Sequence, residues 1–142
     1  MLQGIILHTD GGARGNPGPA GAGYVAFAAS GAVVCEGSTY IGRRTNNYAE
    51  YTAVILGLSM LIEHFGAAAC RDLTITVRMD SELVCRQLNG VYRVKHPDLL
   101  PLYREVCTLV ATKVPHTTFE HVRREHNTHA DRLSNDAMDR GV

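Results

Sequence analysis

Four carboxylates stand at comparable points in this 142-residue chain. Asp10 follows the apolar run GIILHT, and Asp80 follows the apolar run LTITVRM. Glu50 and Asp131 each lie where an apolar-periodic segment begins. In a sheet with short connections, strand ends and helix starts meet on one rim. Four acids converging there do not all stay ionised without a cation. Magnesium suits such a set, because it prefers oxygen ligands and keeps several waters. Two such ions roughly 4 Å apart clamp the attacking and leaving oxygens of an in-line phosphoryl displacement. Three of the acids also have a plainer reading. Asn47-x-x-Glu50 and Thr128-x-x-Asp131 loosely fit capping boxes, and Asp80 could cap a helix. Asp10 has no capping role, and an acid at the end of an apolar strand carries a desolvation cost unless something pairs with it.

The stretch after Asp10, GGARGNPGPAGAG, is nearly free of side chain. It contains neither GK[ST] nor GxGxxG, and Pro17 and Pro19 forbid a helix there, so a phosphate-binding strand-to-helix loop is disfavoured. Bare backbone at Gly11, Gly12 and Ala13 would let a ligand approach the acids closely.

The elements that must place these residues follow from periodicity. GIILHT reads as a buried strand. Gly21–Ala29 and Ala32–Tyr40 read as two strands joined by a Ser30-Gly31 hairpin turn. Tyr51, Ile55, Leu58, Ile62 and Phe65 recur at helical spacing after the start signal Asn46-Asn47, and Gly66 ends that helix. LTITVRM is a strand, SELVCRQLNG a short helix closed by Gly90, and a further helix opens at His96-Pro97-Asp98 and runs to Pro115. TTFEHVRR is a strand, and Asn127 to Asp139 forms the last helix. The order β-β-β-α-β-α-α-β-α is that of an α/β protein, a mixed sheet with helices on its faces.

Composition narrows the classes. The length fits one domain, residues 1–142, and the 45% hydrophobic content fits a single core. Acidic and basic residues balance at 14 each, so no whole-chain basic field argues for nucleic acid. Cys35, Cys70, Cys85 and Cys107 form no CxxC pair, and free thiols, mostly in apolar surroundings, are expected. His8, inside the first strand, reads as a core residue. The chain shows no signal-peptide pattern and no apolar run near the roughly 20 residues of a membrane span, so a cytoplasmic protein is expected.

The ordered motifs TDGGARGNPG, TNNYAEYTAVILGL, MDSELVCRQLNGVYRVK and VRREHNTHADRLSNDAM cover nearly the whole chain and resemble the type 1 ribonuclease H family in its compact form. The resemblance implies a five-stranded mixed sheet flanked by helices. It implies an endonuclease that hydrolyses the RNA strand of RNA–DNA hybrids with two Mg²⁺ or Mn²⁺ ions, leaving 5′-phosphate and 3′-hydroxyl ends. The family's catalytic, metal-binding acids fall on Asp10, Glu50, Asp80 and Asp131. Substrate contacts are expected from Gly11, Gly12, Ala13, Asn16, Asn46 and Asn47 toward the RNA's minor-groove edge, where the 2′-OH distinguishes RNA. Thr45, beside Arg43-Arg44, suits a phosphate of the DNA strand. The asparagines also have a capping alternative. No membrane or protein partner is implied, and a monomer is expected.

Three features depart from the family pattern. Gly90–Asp98 is short and the chain has no Trp, so the basic insertion of better-known bacterial members is missing. Hybrid binding is therefore expected to be weaker and strongly salt-dependent. The family's DSQ is here Asp80-Ser81-Glu82, an acid in place of an amide. The mobile-loop histidine has no clear counterpart: His126 could shuttle protons and Arg124 could stabilise charge, with His129 a third candidate. A silent binding module of the same fold and a nuclease that also cuts double-stranded RNA are the competing functions.

Overall fold

The computed structural model describes residues 4–142. Its core element is a five-stranded sheet of order β3-β2-β1-β4-β5. β1 (Gly4–Ala13), β2 (Gly18–Ala28) and β3 (Val33–Arg44) form an antiparallel meander. β4 (Thr74–Met79) joins β1 in parallel, and β5 (Thr117–His121) joins β4 in parallel. The helices are α1 (Asn46–Phe65), the single turn α2 (Ala67–Cys70), α3 (Glu82–Leu88), α4 (Leu100–Thr112) and α5 (Thr128–Arg140). A 3-10 turn, Arg124–His126, precedes α5. No helix of the described residues is long and apolar enough to cross a membrane.

Alternation along β1 assigns the two faces. Ile5 and Leu7 are buried in the main core with Ile75 and Val77 of β4 and with Val54, Leu58 and Leu61 of α1. Residues of the opposite phase face α5, where Val25 packs with Ala130 and Leu133. Tyr51, fully buried in α1, donates to Gln87 Oε1 of α3 at 2.6 Å and so ties the two helices together.

Several expectations change. β1 does not stop at Thr9 but runs through Asp10-Gly11-Gly12-Ala13, and β2 begins at Gly18 rather than Gly21. The glycine-rich stretch is thus mostly strand, with only residues 14–17 forming the turn. Missing side chains allow helices to lie directly on both faces there. A methyl on Gly11 would run into the Ala49 carbonyl of α1, and one on Gly21 or Gly23 into the α5 backbone. α4 begins at Leu100, later than expected, and β5 ends at His121 rather than Arg124. α2 is an extra turn that the periodicity did not show. His8 is half-buried, edge-on to Phe27, on the sheet face that α5 leaves partly open. Burial, then the charges of Arg78 and His129, push its pKa below the usual histidine value. Cys70 and Cys85 are buried, Cys35 is half-buried and Cys107 is exposed, all as free thiols.

Candidate active site

The register of the central strands builds the site. The parallel ladder between β1 and β4 ends at the pair Thr9–Met79. The next residue after each is an acid: Asp80 is the first residue past the end of β4, and Asp10 is still in β1, which alone continues onward against β2, where Asp10 is opposite Gly23. Asp10 therefore stands not at a strand tip but at the point where its strand loses one neighbour. α1 supplies Glu50, because Gly11 lets the Ala49–Glu50 backbone press onto β1. α5 supplies Asp131, and its start is anchored by the buried Asn127, whose Nδ2 donates to the Thr9 carbonyl at 2.9 Å.

None of the plainer capping roles is used. Thr45 caps α1, its hydroxyl oxygen accepting from Tyr48 N at 3.2 Å, and Glu50 lies beyond the first turn. Ser81, not Asp80, caps α3 by accepting from Val84 N at 3.2 Å. α5 has no side-chain cap, although Asp131 does lie in its first turn.

Asp10, Glu50 and Asp80 each offer a carboxylate oxygen within 4.8 Å of the others. Asp131 is not part of that triplet but lines the same open cleft, of about 430 Å³. Asp10 and Glu50 are each only 7% exposed, so two of the acids lie largely out of water. Burial is the main reason the Asp10 pKa is raised to about 7; Asp80 and Asp131 push it further up and a hydrogen bond from Ser134 counters them. Burial, then Asp10 and Asp80, hold Glu50 well above the usual carboxylate range, against opposing effects of the Gly11 backbone N–H and Arg124. Glu50 Oε2 is buried without a hydrogen-bond partner. An all-oxygen set with an unpartnered buried carboxylate oxygen and carboxyls that resist ionisation fits a hard divalent cation.

The cleft is also lined by Gly11, Gly12, Ala13, Asn46, Asn47 and Arg124. Asn46 Oδ1 accepts from Ala13 N at 2.8 Å, which leaves its NH₂ as the end available to a ligand. Asn16 is not on the cleft wall; its Oδ1 accepts from Asn46 N at 3.0 Å and so buttresses Asn46 from behind. Thr45 borders a neighbouring groove with Arg43, Arg44, Tyr48 and Pro97. Of the loop candidates, Arg124 is brought to the acids. His126 is exposed on the same 3-10 turn and is not on the cleft wall, and His129 turns away to Glu36, 3.3 Å off. Glu82, which replaces the amide, pairs with Arg86 at 2.9 Å.

Sequence reasoning passed over Arg14, Ser81, Ser134, Asn135 and Met138, which complete the cleft. Three of the five lie on α5 within two turns after Asp131. Ser134 left a readable signal, a hydroxyl on the same helical face as Ala130, Leu133 and Ala137.

A mixed five-stranded sheet flanked by helices, with a carboxylate cleft at the end of its central parallel pair, defines a ribonuclease H-like α/β protein. The family model described as Reverse transcriptase-like matches residues 8–137. The bifunctional protein Rv2228c of Mycobacterium tuberculosis is 46% identical over 136 residues, which is 95% of this chain and 35% of that protein. Ribonuclease HI of Halobacterium salinarum is 41% identical over 135 residues, 95% of this chain and 64% of that one. The structure of LC11-RNase H1 in complex with an RNA/DNA hybrid superposes with a TM-score of 0.92 at 47% identity, covering 96% of this chain and 97% of that one. The chain belongs to the type 1 ribonuclease H family. It spans about a third of the mycobacterial relative's length and under two thirds of the halobacterial one's.

Proposed function

We propose that this chain is a single catalytic domain, residues 1–142, that hydrolyses the RNA strand of RNA–DNA hybrids and leaves 5′-phosphate and 3′-hydroxyl ends. The observation that carries this reading is the carboxylate triplet Asp10–Glu50–Asp80, mutually within 4.8 Å, with Asp131 on the same cleft wall. These four acids would hold two Mg²⁺ or Mn²⁺ ions, which when bound supply an activated water and a counter-charge for the departing oxygen. Among the family relatives, LC11-RNase H1 has been solved with an RNA/DNA hybrid, in keeping with that substrate.

The chain's own residues do the rest. Asp10 and Glu50 must give up protons to bind a cation, so the metal requirement falls as pH rises. The Asn46 NH₂ donates to an acceptor on the substrate's minor-groove edge, and Asn16 fixes the backbone that carries it. Asn47 and the bare surface of Gly11 to Ala13 line the approach. Thr45, with Arg43 and Arg44, borders the groove suited to the uncut strand's phosphates. Arg124 supplies fixed positive charge beside Glu50, so it rather than His126 assists the reaction. Arg124→Ala is expected to lower kcat by about tenfold to a hundredfold, less than the loss of a buried preorganised donor because the side chain is exposed. His126→Ala should stay within about threefold of wild type, since an exposed side chain off the cleft contributes little. Single-turnover cleavage rates for the two variants measure this directly.

Incubation of end-labelled hybrid, RNA duplex and DNA duplex, with Mg²⁺, Mn²⁺ or chelator, tests the function itself. Hybrid cut only with metal, and the DNA duplex left whole, is the expected result. Hybrid bound but intact in both metals would show a silent binding module, and RNA duplex cut at a similar rate would broaden the substrate class.

A further inference from the structure

We propose that Ser134 is a positioning residue for Asp10: its hydroxyl holds the Asp10 carboxylate in the orientation in which it faces Glu50 and Asp80. The proposal rests on the reading of these acids as a divalent-cation site. Ser134 Oγ lies 2.7 Å from Asp10 Oδ2 and 2.9 Å from the Asp131 carbonyl. Besides the carboxyl of Asp131, which hydrogen-bonds Asp10 only while a proton is shared between the two acids, this hydroxyl is the side-chain partner of Asp10 among the described residues.

Local physics argues against a serine here for its own sake. The position is 1% exposed and lies mid-helix on the face formed by Ala130, Leu133 and Ala137. Its backbone is seated directly on Gly21 and Gly23 of β2. Alanine would fill that place with a better helix propensity and no polar atom to bury. A bond to the Asp131 carbonyl, one turn back, would satisfy the hydroxyl but would only cancel its own burial. The hydroxyl has one proton for two acceptors. Charge-assisted bonds are the shorter and stronger kind, and the contact with Asp10 is the shorter of the two.

One side chain thereby links two of the four acids. Ser134 sits three residues after Asp131 on α5 and reaches across to Asp10 on β1. A displacement of α5 would disturb both acids together. Without the hydroxyl, the ionised Asp10 keeps its place in the strand but its terminal torsion, which is soft for a carboxylate, loses its hydroxyl anchor. The cation then has to order a wandering ligand on binding.

Calorimetric titration of the metal-free full chain with Mn²⁺ alone, for wild type and Ser134→Ala, tests this. Filter binding of hybrid in chelator and the melting temperature without metal are the companion measurements. The Mn²⁺ dissociation constant of Ser134→Ala should rise by about tenfold, the range seen when a residue that orients a metal ligand is removed. Hybrid affinity in chelator and the metal-free melting temperature should stay at wild-type values. An unchanged Mn²⁺ constant overturns the proposal. Parallel losses of metal affinity, hybrid affinity and melting temperature also overturn it, because they mark Ser134 as a packing residue. Wild-type protein that takes up no Mn²⁺ overturns the cation-site reading itself, a result distinct from wild type and variant binding it equally.

Discussion

Asp10→Asn is expected to abolish hybrid cleavage, by on the order of a thousandfold or more, while making the metal-free protein more stable at pH 8. The two effects share one cause. Asp10 is held by β1 beside Asp80 and within reach of Glu50, in a setting that suits a cation and penalises a bare carboxylate. Asparagine keeps an oxygen that can accept from Ser134 but removes the charge. The folded-state pKa near 7 fixes the pH window. Below about pH 4, Asp10 is protonated in folded and unfolded chains alike, and its titration does not affect stability. Between about pH 4 and pH 7 the unfolded chain releases the proton that the folded chain retains, so stability falls as pH rises; above about 7 the full penalty is present. For one isolated group this penalty reaches about 4 kcal/mol; burial is its main cause, an asparagine is still a buried polar group, and the repulsion is shared with Asp80, Asp131 and Glu50, so a gain of about 2 kcal/mol is the expected order. Thermal melts of the metal-free wild type should decline from pH 5 to pH 8, and those of Asp10→Asn should decline less. Asp80→Asn should act in the same direction, since Asp80 raises the pKa of both buried acids. A near wild-type cleavage rate for Asp10→Asn would remove the acid from the mechanism. A steeper pH decline in its melting temperature would refute the charge argument.

Gly11→Ala should cost about 3 kcal/mol or more, whereas Gly12→Ala should stay within about 0.5 kcal/mol of wild type. A methyl on Gly11 would be driven into the Ala49 carbonyl and the Glu50 nitrogen, both backbone, so neither can rotate aside. The only relief is to lift the start of α1 off β1, which also withdraws Glu50 from Asp10. Loss of stability is therefore expected to come together with loss of the proposed cation site at this position. A methyl on Gly12 would meet only the end of Met138, at 3.7 Å, an ordinary contact. In melting temperature the first substitution is expected to lower the midpoint by roughly 10 °C and the second by a degree or two. Equal effects of the two would show that α1 yields more easily than its close seating implies.

Most strands and helices were readable because their signals are local. Apolar alternation or helical spacing marks β1, α1, β4 and α5, and short connections left few ways to order them. The motif series pointed to the family whose sheet, helices and matched relatives are found here. What misled was the stretch after Asp10. Glycine and proline are read as turn, yet here glycine serves a strand crowded from both faces. The choice among Arg124, His126 and His129 was likewise illegible. Six residues of chain place all three near Asp131, and only the 3-10 turn decides which side chain reaches the cleft.

By itself the sequence determined the inventory: four acids each next to an apolar run, a backbone nearly free of side chains beside the first, and elements in an order that permits one mixed sheet. The tertiary structure decided proximity. The end of the β1–β4 ladder sets Asp10 beside Asp80, the absence of a side chain at Gly11 brings Glu50 down onto them, and the seating of α5 on Gly21 and Gly23 delivers Asp131 and Ser134. These depend on which backbones can touch, a property of pairs of elements distant in sequence, which no local pattern of residues records.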